Sequence, residues 1–202
     1  MFWKEKIVKL EKTIKISIVN LISILLFVGN SFGGVEWNRG DPFPTFWLSA
    51  PKNEIHRAYL GIGDRETFNI DHIDAQVVII EILSMYCPYC QKEAPLVNKL
   101  FESIEENEQL REKVKIFGIG VGNSSFEVDI FRKRYNIRFP LIPDPDYKVH
   151  KIIGEVRTPY FFILSLSGPH RASVIYSKLG DIGDINNFLR IITSTIEGMS
   201  KE

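Results

Sequence analysis

Two cysteines lie between an apolar strand and an amphipathic helix, and this order limits the possible folds more than any other part of the chain. The run AQVVIIEIL, Ala75–Leu83, is β-branched and apolar on both faces, which predicts a strand in the centre of a sheet. Cys87 and Cys90 follow it, and they are the only cysteines among 202 residues. Apolar residues then recur at helical spacing from Leu96 to Ile104. The sequence therefore predicts a strand, a short turn and a helix that begins at the thiols.

The close spacing of the cysteines argues against two structural roles. A disulfide between residues three positions apart closes almost no loop, so it would stabilise the fold very little. A structural zinc site needs at least two further ligands. The histidines do not share the spacing of such a site: His56, His72, His150 and His170. No metal site is predicted, and the chemistry of the pair itself becomes the question.

The first 33 residues differ from the rest of the chain. A lysine-rich stretch precedes the apolar run Ile16–Val28, and small residues follow it, which is the order of a secretory signal. Ser31 and Gly33 fit the small residues of a cleavage site. The 13-residue apolar run is short for a membrane span of roughly 20 residues. We expect a signal peptide or N-terminal membrane anchor over 1–33, a single domain over 34–202, and a periplasmic or other extracytoplasmic location.

The charge of the predicted domain is nearly balanced. Without the five basic and two acidic residues of the first segment, 20 Lys and Arg remain against 23 Asp and Glu. No basic stripe is left to neutralise phosphates, so nucleic acid is not expected as a partner. An exported location also allows the two cysteines to alternate between thiols and a disulfide.

The pattern of apolar residues predicts the element order β-α-β-α-β-β-α. A second buried strand lies within Lys113–Gly122, and a late antiparallel hairpin joins Pro159–Ser165 to Ala172–Gly180. The stretch between these strands, Phe139–Gly154, reads as a loop with one short helix. Asp184 is the predicted N-cap of the last helix. Before the main sheet, short strands are expected at 46–48 and 59–62.

Three motifs resemble one known family. They are CPYCQKEAP at 87–95, RTPYFFIL at 157–164 and GDPFPTFWL at 40–48. Together with the element order, they are similar to extracytoplasmic thioredoxin-like thiol–disulfide oxidoreductases of the TlpA/ResA group, over roughly 41–196. The resemblance implies an α/β thioredoxin fold, with a central mixed β-sheet flanked by helices and an N-terminal β extension. It also implies a protein disulfide reductase that needs no cofactor. The implied partners are extracytoplasmic protein thiols and disulfides, and a membrane electron donor or acceptor such as a DsbD/CcdA-like protein.

The family's chemistry assigns different roles to the two cysteines, which form a redox-active disulfide. Cys87 is expected at the N-terminus of the helix, where the dipole and free amides favour a thiolate that attacks a partner disulfide. Cys90, one turn later, then attacks the mixed disulfide and releases the reduced partner. Pro88 between them fits the first turn of a helix, which needs no N–H there.

Two acidic residues are candidates for the proton acceptor. Glu93 follows Cys90 by three residues, where ResA-like proteins place an active-site glutamate. Glu81 lies inside the apolar strand, where the TlpA group more often has asparagine and thioredoxin has a buried aspartate. A carboxyl group buried beside a thiol would have a raised pKa and could accept the proton of Cys90. The choice between the two stays open from the sequence alone.

The predicted substrate-binding residues surround the cysteine motif. Thr158 and Pro159 correspond to the family's cis-proline element, which presents backbone groups to an incoming peptide. Tyr86 takes the place of the family's usual tryptophan and is either packed beside Cys87 or an ordinary surface aromatic. Pro88 and Tyr89, within the motif, complete the set.

Two other functions remain as alternatives. A peroxiredoxin-like peroxidase requires Pro-x-x-x-Thr/Ser-x-x-Cys; Ser84 fits this pattern, but Ile80 stands where the proline is needed. A non-enzymatic copper carrier of the Sco type uses Cys-x-x-x-Cys, and the spacing here is one residue shorter. The direction of electron flow is also open, because thioredoxin-fold proteins include strong reductants and strong oxidants. The resemblance favours a reductant.

Overall fold

The computed structural model describes residues 35–167 and 172–199. The predicted signal peptide or anchor over 1–33 lies outside the described residues. Within the described ranges, no helix combines the length and the apolar character that a membrane span requires. The fold below belongs to the unit formed by residues 34–202.

A five-stranded mixed sheet forms the centre of this unit. From one edge to the other, its strands are β5 (Leu141–Asp144), β4 (Val114–Val121), β3 (Val77–Leu83), β6 (Tyr160–Ser165) and β7 (Ser173–Leu179). The predicted central strand, β3, is indeed the middle one. Strands β3, β4 and β5 run parallel, whereas β6 and β7 are antiparallel to their neighbours.

Helices cover both faces of the sheet. They are α1 Glu54–Leu60, α2 Pro88–Glu106, α3 Ser125–Arg134, α4 Lys148–Ile152 and α5 Ile185–Met199. Alternate residues of β3 enter two separate cores, as expected for a strand that is buried on both faces. Ile79 and Leu83 pack with apolar residues of α2 and α5, whereas Ile80 and Ile82 pack with the N-terminal segment and α4. Glu81 therefore points to the face that α2 covers.

The N-terminal extension contains a small antiparallel sheet and a helix. Strand β1, Leu48–Ser49, pairs with β2, Thr67–Phe68. The strand expected at 59–62 is wrong, because helix α1 extends to Leu60. The Asn53 side chain accepts hydrogen bonds at the start of this helix, and Gly61 ends it in the left-handed region with φ 67°. These caps favour a helix over the short strand that the apolar residues alone suggested.

Strand β5 was also missed by the sequence analysis, which assigned its residues to a loop. That segment contains three prolines, and one of them, Pro143, lies inside β5. The structure accommodates Pro143 because β5 is the edge strand, where a missing N–H is tolerated. Its neighbour Gly118 leaves space for Leu141, whose Cδ2 atom would lie 2.6 Å from an added Cβ.

Candidate active site

Cys87 is the N-cap residue of helix α2. Its backbone is extended, with φ −81° and ψ 115°, and Pro88 begins the helix. The Cys87 N–H donates to the carbonyl oxygen of Ser84 at 3.0 Å, and the Cys87 carbonyl oxygen accepts from Gln91 N–H at 3.1 Å. The thiol is half-buried, and its sulfur lies 3.4 Å from the carbonyl oxygen of Thr158. This side chain therefore lies at the boundary between the fold and the solvent.

Cys90 lies behind Cys87 and is fully buried against the sheet. Both cysteines are free thiols in this structure. Among the residues that the structure describes, no group of three or more His, Cys, Asp or Glu side chains is arranged to hold a metal ion. The pair therefore combines one accessible sulfur with one protected sulfur a single helical turn away.

The surroundings of the two thiols shift their pKa values in opposite directions. Burial acts to raise the pKa of Cys87, but hydrogen bonds from the Thr158 side chain and from the backbone amides of Cys90 and Tyr89 outweigh it, so this pKa falls below its usual value. Burial, together with the negative charge of Glu81, raises the pKa of Cys90. At neutral pH, Cys87 is thus the better thiolate and Cys90 needs help to lose its proton.

Glu81 is a buried carboxyl group with an unsatisfied oxygen. Its side chain is 2% exposed, and its Oε1 atom has no hydrogen-bond partner. Burial, and then the charges of Glu93 and Cys87, raise its pKa to about 8. The residue opposite it on β4 is Gly118, which has no side chain to screen or bind the carboxyl. Glu81 can therefore exchange a proton near neutral pH.

Glu93 is also buried, at 6% exposure, but its carboxylate is bound. Its Oε1 atom accepts the Ile182 N–H at 2.7 Å, which connects α2 to the segment after β7. Burial raises the pKa of Glu93, and the Ile182 amide partly offsets this rise. One carboxyl oxygen of Glu93 is therefore bound in a contact that holds the fold together, whereas the Oε1 atom of Glu81 has no hydrogen-bond partner.

The Thr158–Pro159 segment faces the cysteine pair. The peptide bond between these residues is cis. Thr158 is half-buried beside Cys87, and the buried Pro159 begins the turn into β6, with its carbonyl oxygen accepting from Gly180 N–H at 2.9 Å. The backbone next to the accessible thiol is thus held by the end of the hairpin strand.

The remaining predicted residues form the exposed rim around Cys87. Tyr86 is 65% exposed and Tyr89 is 73% exposed, and Pro88 between them is exposed as well. The Tyr86 hydroxyl donates to the Glu127 carboxylate. Tyr86 is therefore a surface aromatic that is fixed in place by a partner on helix α3.

Three residues that touch this site were not found by the sequence analysis. Asn123 and Gln91 hydrogen bond to the turn before Cys87, and Glu127 accepts from Tyr86. Asn123 and Glu127 follow β4, whose carboxyl end meets that of β3 because the two strands are parallel. Polar residues directly after the second strand were the available signal.

The chain matches the model of the AhpC/TSA family over residues 39–185. A similar curated protein is the thiol-disulfide oxidoreductase ResA of Geobacillus thermodenitrificans, which is 24% identical over 131 residues, covering 64% of each chain. Another is ResA of Bacillus thuringiensis, 25% identical over 91 residues, covering 45% of this chain and 50% of the relative. The chain thus spans between half and just under two thirds of the length of these curated relatives.

Solved structures with the same architecture agree with the family match. StoA from Bacillus subtilis has a TM-score of 0.53 and 18% identity, covering 76% of this chain and 98% of its own. A putative thiol:disulfide interchange protein DsbE from Chlorobium tepidum has a TM-score of 0.57 and 13% identity, covering 79% and 98%. At such identities these structures show the fold, and they confirm the predicted thioredoxin-like architecture. The chain belongs to the AhpC/TSA family, and its relatives and fold support the predicted likeness to thioredoxin-like redoxins of the TlpA/ResA type.

Proposed function

We propose that the protein is an exported thiol–disulfide oxidoreductase that reduces disulfides of other extracytoplasmic proteins through Cys87 and Cys90. One observation carries the proposal. The half-buried sulfur of Cys87 lies at the N-terminus of a helix, 3.4 Å from the Thr158 carbonyl oxygen, with the buried Cys90 one turn behind it. The first amides of α2 help to lower the pKa of the attacking thiol, and Cys90 supplies an adjacent resolving thiol.

In the first step, the Cys87 thiolate attacks one sulfur of the partner's disulfide. A bond forms between the Cys87 sulfur and that sulfur, the partner's S–S bond breaks, and the second partner sulfur leaves as a thiolate. The amides of Tyr89 and Cys90 stabilise the attacking thiolate. The product is a mixed disulfide between Cys87 and the partner.

In the second step, Cys90 loses its proton and attacks the Cys87 sulfur. The mixed disulfide breaks, the partner leaves with two thiols, and Cys87 and Cys90 become a disulfide. Glu81 is the proposed proton acceptor, because it is buried near the thiols, has a free oxygen and has a pKa of about 8. A dithiol donor must then reduce the Cys87–Cys90 disulfide to complete the cycle.

The partner's peptide is proposed to bind across the exposed rim. The backbone of Thr158 and Pro159 lies beside Cys87, where an extended segment can pair with it as an added strand. Tyr86 and Tyr89 flank the sulfur and are largely exposed, so any disulfide that reaches Cys87 must pass close to them. These aromatic side chains supply contact area that depends little on the sequence of the partner.

The family and the predicted N-terminal segment support the proposed direction and location of the reaction. The relatives are named thiol-disulfide oxidoreductases, and the predicted signal or anchor over 1–33 would place the domain outside the cytoplasm. A membrane protein of the DsbD/CcdA-like kind is the proposed electron donor. Reduction is the proposed direction, since exported proteins are otherwise kept oxidised.

The test is catalysed reduction of an accessible protein disulfide, with insulin as substrate and dithiothreitol as the electron source. The protein should accelerate the reaction, and Cys87→Ala should abolish the acceleration. A parallel assay follows the consumption of hydrogen peroxide with the same electron source. Turnover of peroxide without turnover of insulin would replace the proposal with the peroxidase alternative.

A further inference from the structure

The turn from Ser84 to Cys87 is held by side chains from two other parts of the fold. The Met85 N–H donates to Asn123 Oδ1 at 2.8 Å, and Gln91 Nε2 donates to the Met85 carbonyl oxygen at 2.8 Å. Asn123 Nδ2 also approaches the Ser84 hydroxyl at 3.5 Å. Both backbone polar groups of Met85 are therefore bound, one from the end of β4 and one from the start of α2.

Asn123 has a fixed position from which to make this contact. Its side chain is fully buried, and its own N–H donates to the Gly120 carbonyl oxygen at 3.2 Å. A Cβ atom at residue 120 would lie 3.3 Å from the Asn123 Cβ and 2.4 Å from Val128, so the glycine leaves the space that Asn123 occupies. A buried amide in such a site holds its partner in one place, because leaving Met85 N–H unpaired would be costly.

We infer that Asn123 and Gln91 are positioning residues for the nucleophile, because together they fix Met85 and so determine where the Cys87 sulfur lies relative to Thr158 and the first amides of α2. This inference deepens the proposed function and rests on Cys87 being the attacking thiol. Neither side chain is proposed to touch the reacting sulfurs. Their effect is transmitted through the backbone over two residues.

The physical link between Met85 and the thiol is the N-cap geometry. Cys87 keeps its extended backbone because its N–H is bound to Ser84, the residue directly before Met85. If Met85 loses a partner, the turn can shift and the sulfur no longer faces the helix amides that stabilise the thiolate. The thiol then becomes a weaker nucleophile at a given pH, although the fold is retained.

The experiment measures the reactivity of Cys87 alone. In the full chain carrying Cys90→Ala, Cys87 is the single thiol, and its rate of alkylation by iodoacetamide is followed against pH by mass spectrometry. The same profile is recorded with Asn123→Ala or Gln91→Ala added. Two titratable groups are left unchanged in every variant: Glu81 on β3, which interacts with Cys87, and Glu93 on α2, which interacts with Glu81. No partner disulfide is needed, so failure of the inference is distinguishable from failure of the proposed function.

Asn98→Ala is the matched control. Asn98 also sits on α2, and its Nδ2 donates to the Tyr135 carbonyl oxygen at 2.8 Å, so its loss removes a comparable contact between α2 and the end of α3. This contact involves neither Met85 nor the turn before Cys87. A general loosening of the structure would therefore affect Asn98→Ala and Asn123→Ala alike.

We expect the profile of alkylation rate against pH to move to higher pH in Asn123→Ala and in Gln91→Ala. A rise of one unit in the pKa of Cys87 would make alkylation about tenfold slower at about pH 6. The Asn98→Ala profile should coincide with that of the parent. Unchanged profiles for both test variants would overturn the inference, and so would an equal displacement in the control. If Asn123→Ala does not fold, Gln91→Ala decides alone, because Gln91 is only half-buried and its loss leaves the core intact.

Discussion

Replacing Glu81 with glutamine separates two effects of this buried carboxyl group, one on stability and one on the second step of exchange. In the folded chain the pKa of Glu81 is raised from 4.5 to about 8. The folded state therefore holds one more proton than the unfolded state between these pH values, and stability falls as the pH rises from about 4.5 to about 8. Above about pH 8, the raised pKa lowers the free energy of unfolding by about 4 to 5 kcal/mol in total.

Glutamine has no charge to bury, so Glu81→Gln should remove this pH-dependent loss. An amide in the same apolar site leaves polar groups unpaired, which costs about 1–3 kcal/mol. We therefore expect the variant to be more stable than the parent by about 2–4 kcal/mol at about pH 9, and less stable than the parent by about 1–3 kcal/mol at about pH 4. Urea unfolding of both reduced proteins at these two pH values measures the difference. A stability difference that is the same at both pH values would refute the assignment of a raised pKa to Glu81.

The same substitution should slow the release of the mixed disulfide. Loss of a general base typically costs about 10²-fold or more, so the step in which Cys90 attacks should slow by at least about that factor near neutral pH. The matched variant is Glu93→Gln, which keeps an oxygen for the Ile182 N–H and should slow this step less. The measurement is the rate of resolution against pH, starting from a mixed disulfide formed at Cys87. Unchanged profiles for both variants would mean that neither carboxyl accepts the proton.

The remaining predictions concern the reduction potential of the cysteine pair, the packing of the central sheet and the exposed residues around Cys87. The reduction potential of Cys87–Cys90, measured by equilibration with glutathione, should lie near that of thioredoxin, at about −270 mV. A value near about −120 mV would make the protein an oxidant instead. Gly118→Ala should lower the free energy of unfolding in urea by about 1–3 kcal/mol, because the added Cβ would lie 2.6 and 2.7 Å from two leucine side chains. The control Gly198→Ala, on an exposed helix position with nothing within 4 Å, should be neutral or stabilising by up to about 1 kcal/mol. The Tyr86 hydroxyl donates the first of the hydrogen bonds that lower the pKa of Glu127 to about 2, and Tyr86→Phe removes it. Titration of the Glu127 carboxyl group followed by NMR should therefore show a higher pKa in the variant. An unchanged pKa would mean that the contact is not made in solution.

The parts of the fold that were predicted depend on local signals. The apolar run of β3, the cysteines and the amphipathic helix follow one another along the chain, so their order fixes Cys87 at a helix start without knowledge of distant residues. The apolar residues of the last two strands likewise predicted the antiparallel hairpin. The missed elements, α1 and β5, depend on a cap at Asn53 and on an edge position that tolerates proline.

Two of the three site residues that were missed contact partners that are distant in the sequence. Asn123 binds Met85 across 38 positions, and Glu127 binds Tyr86 across 41. The contact of the predicted residue Glu93 with Ile182 likewise spans 89 positions. No local pattern predicts which amide such a side chain will bind, because the answer depends on how the loops after parallel strands and hairpins meet. For the same reason, the burial of Glu81 could be argued from its apolar neighbours, whereas its lack of a hydrogen-bond partner appears only in the folded chain.

The central claim is that Cys87 attacks a partner disulfide and Cys90 resolves the product, and trapping the mixed disulfide tests it most directly. The Cys90→Ala and Cys87→Ala chains are each incubated with an oxidised protein substrate, and the adducts are located by mass spectrometry. We predict a stable mixed disulfide at Cys87 in the first chain and almost none at Cys90 in the second, because Cys90 is fully buried with a raised pKa. Adducts that form equally at both cysteines, or at Cys90 alone, would contradict the account.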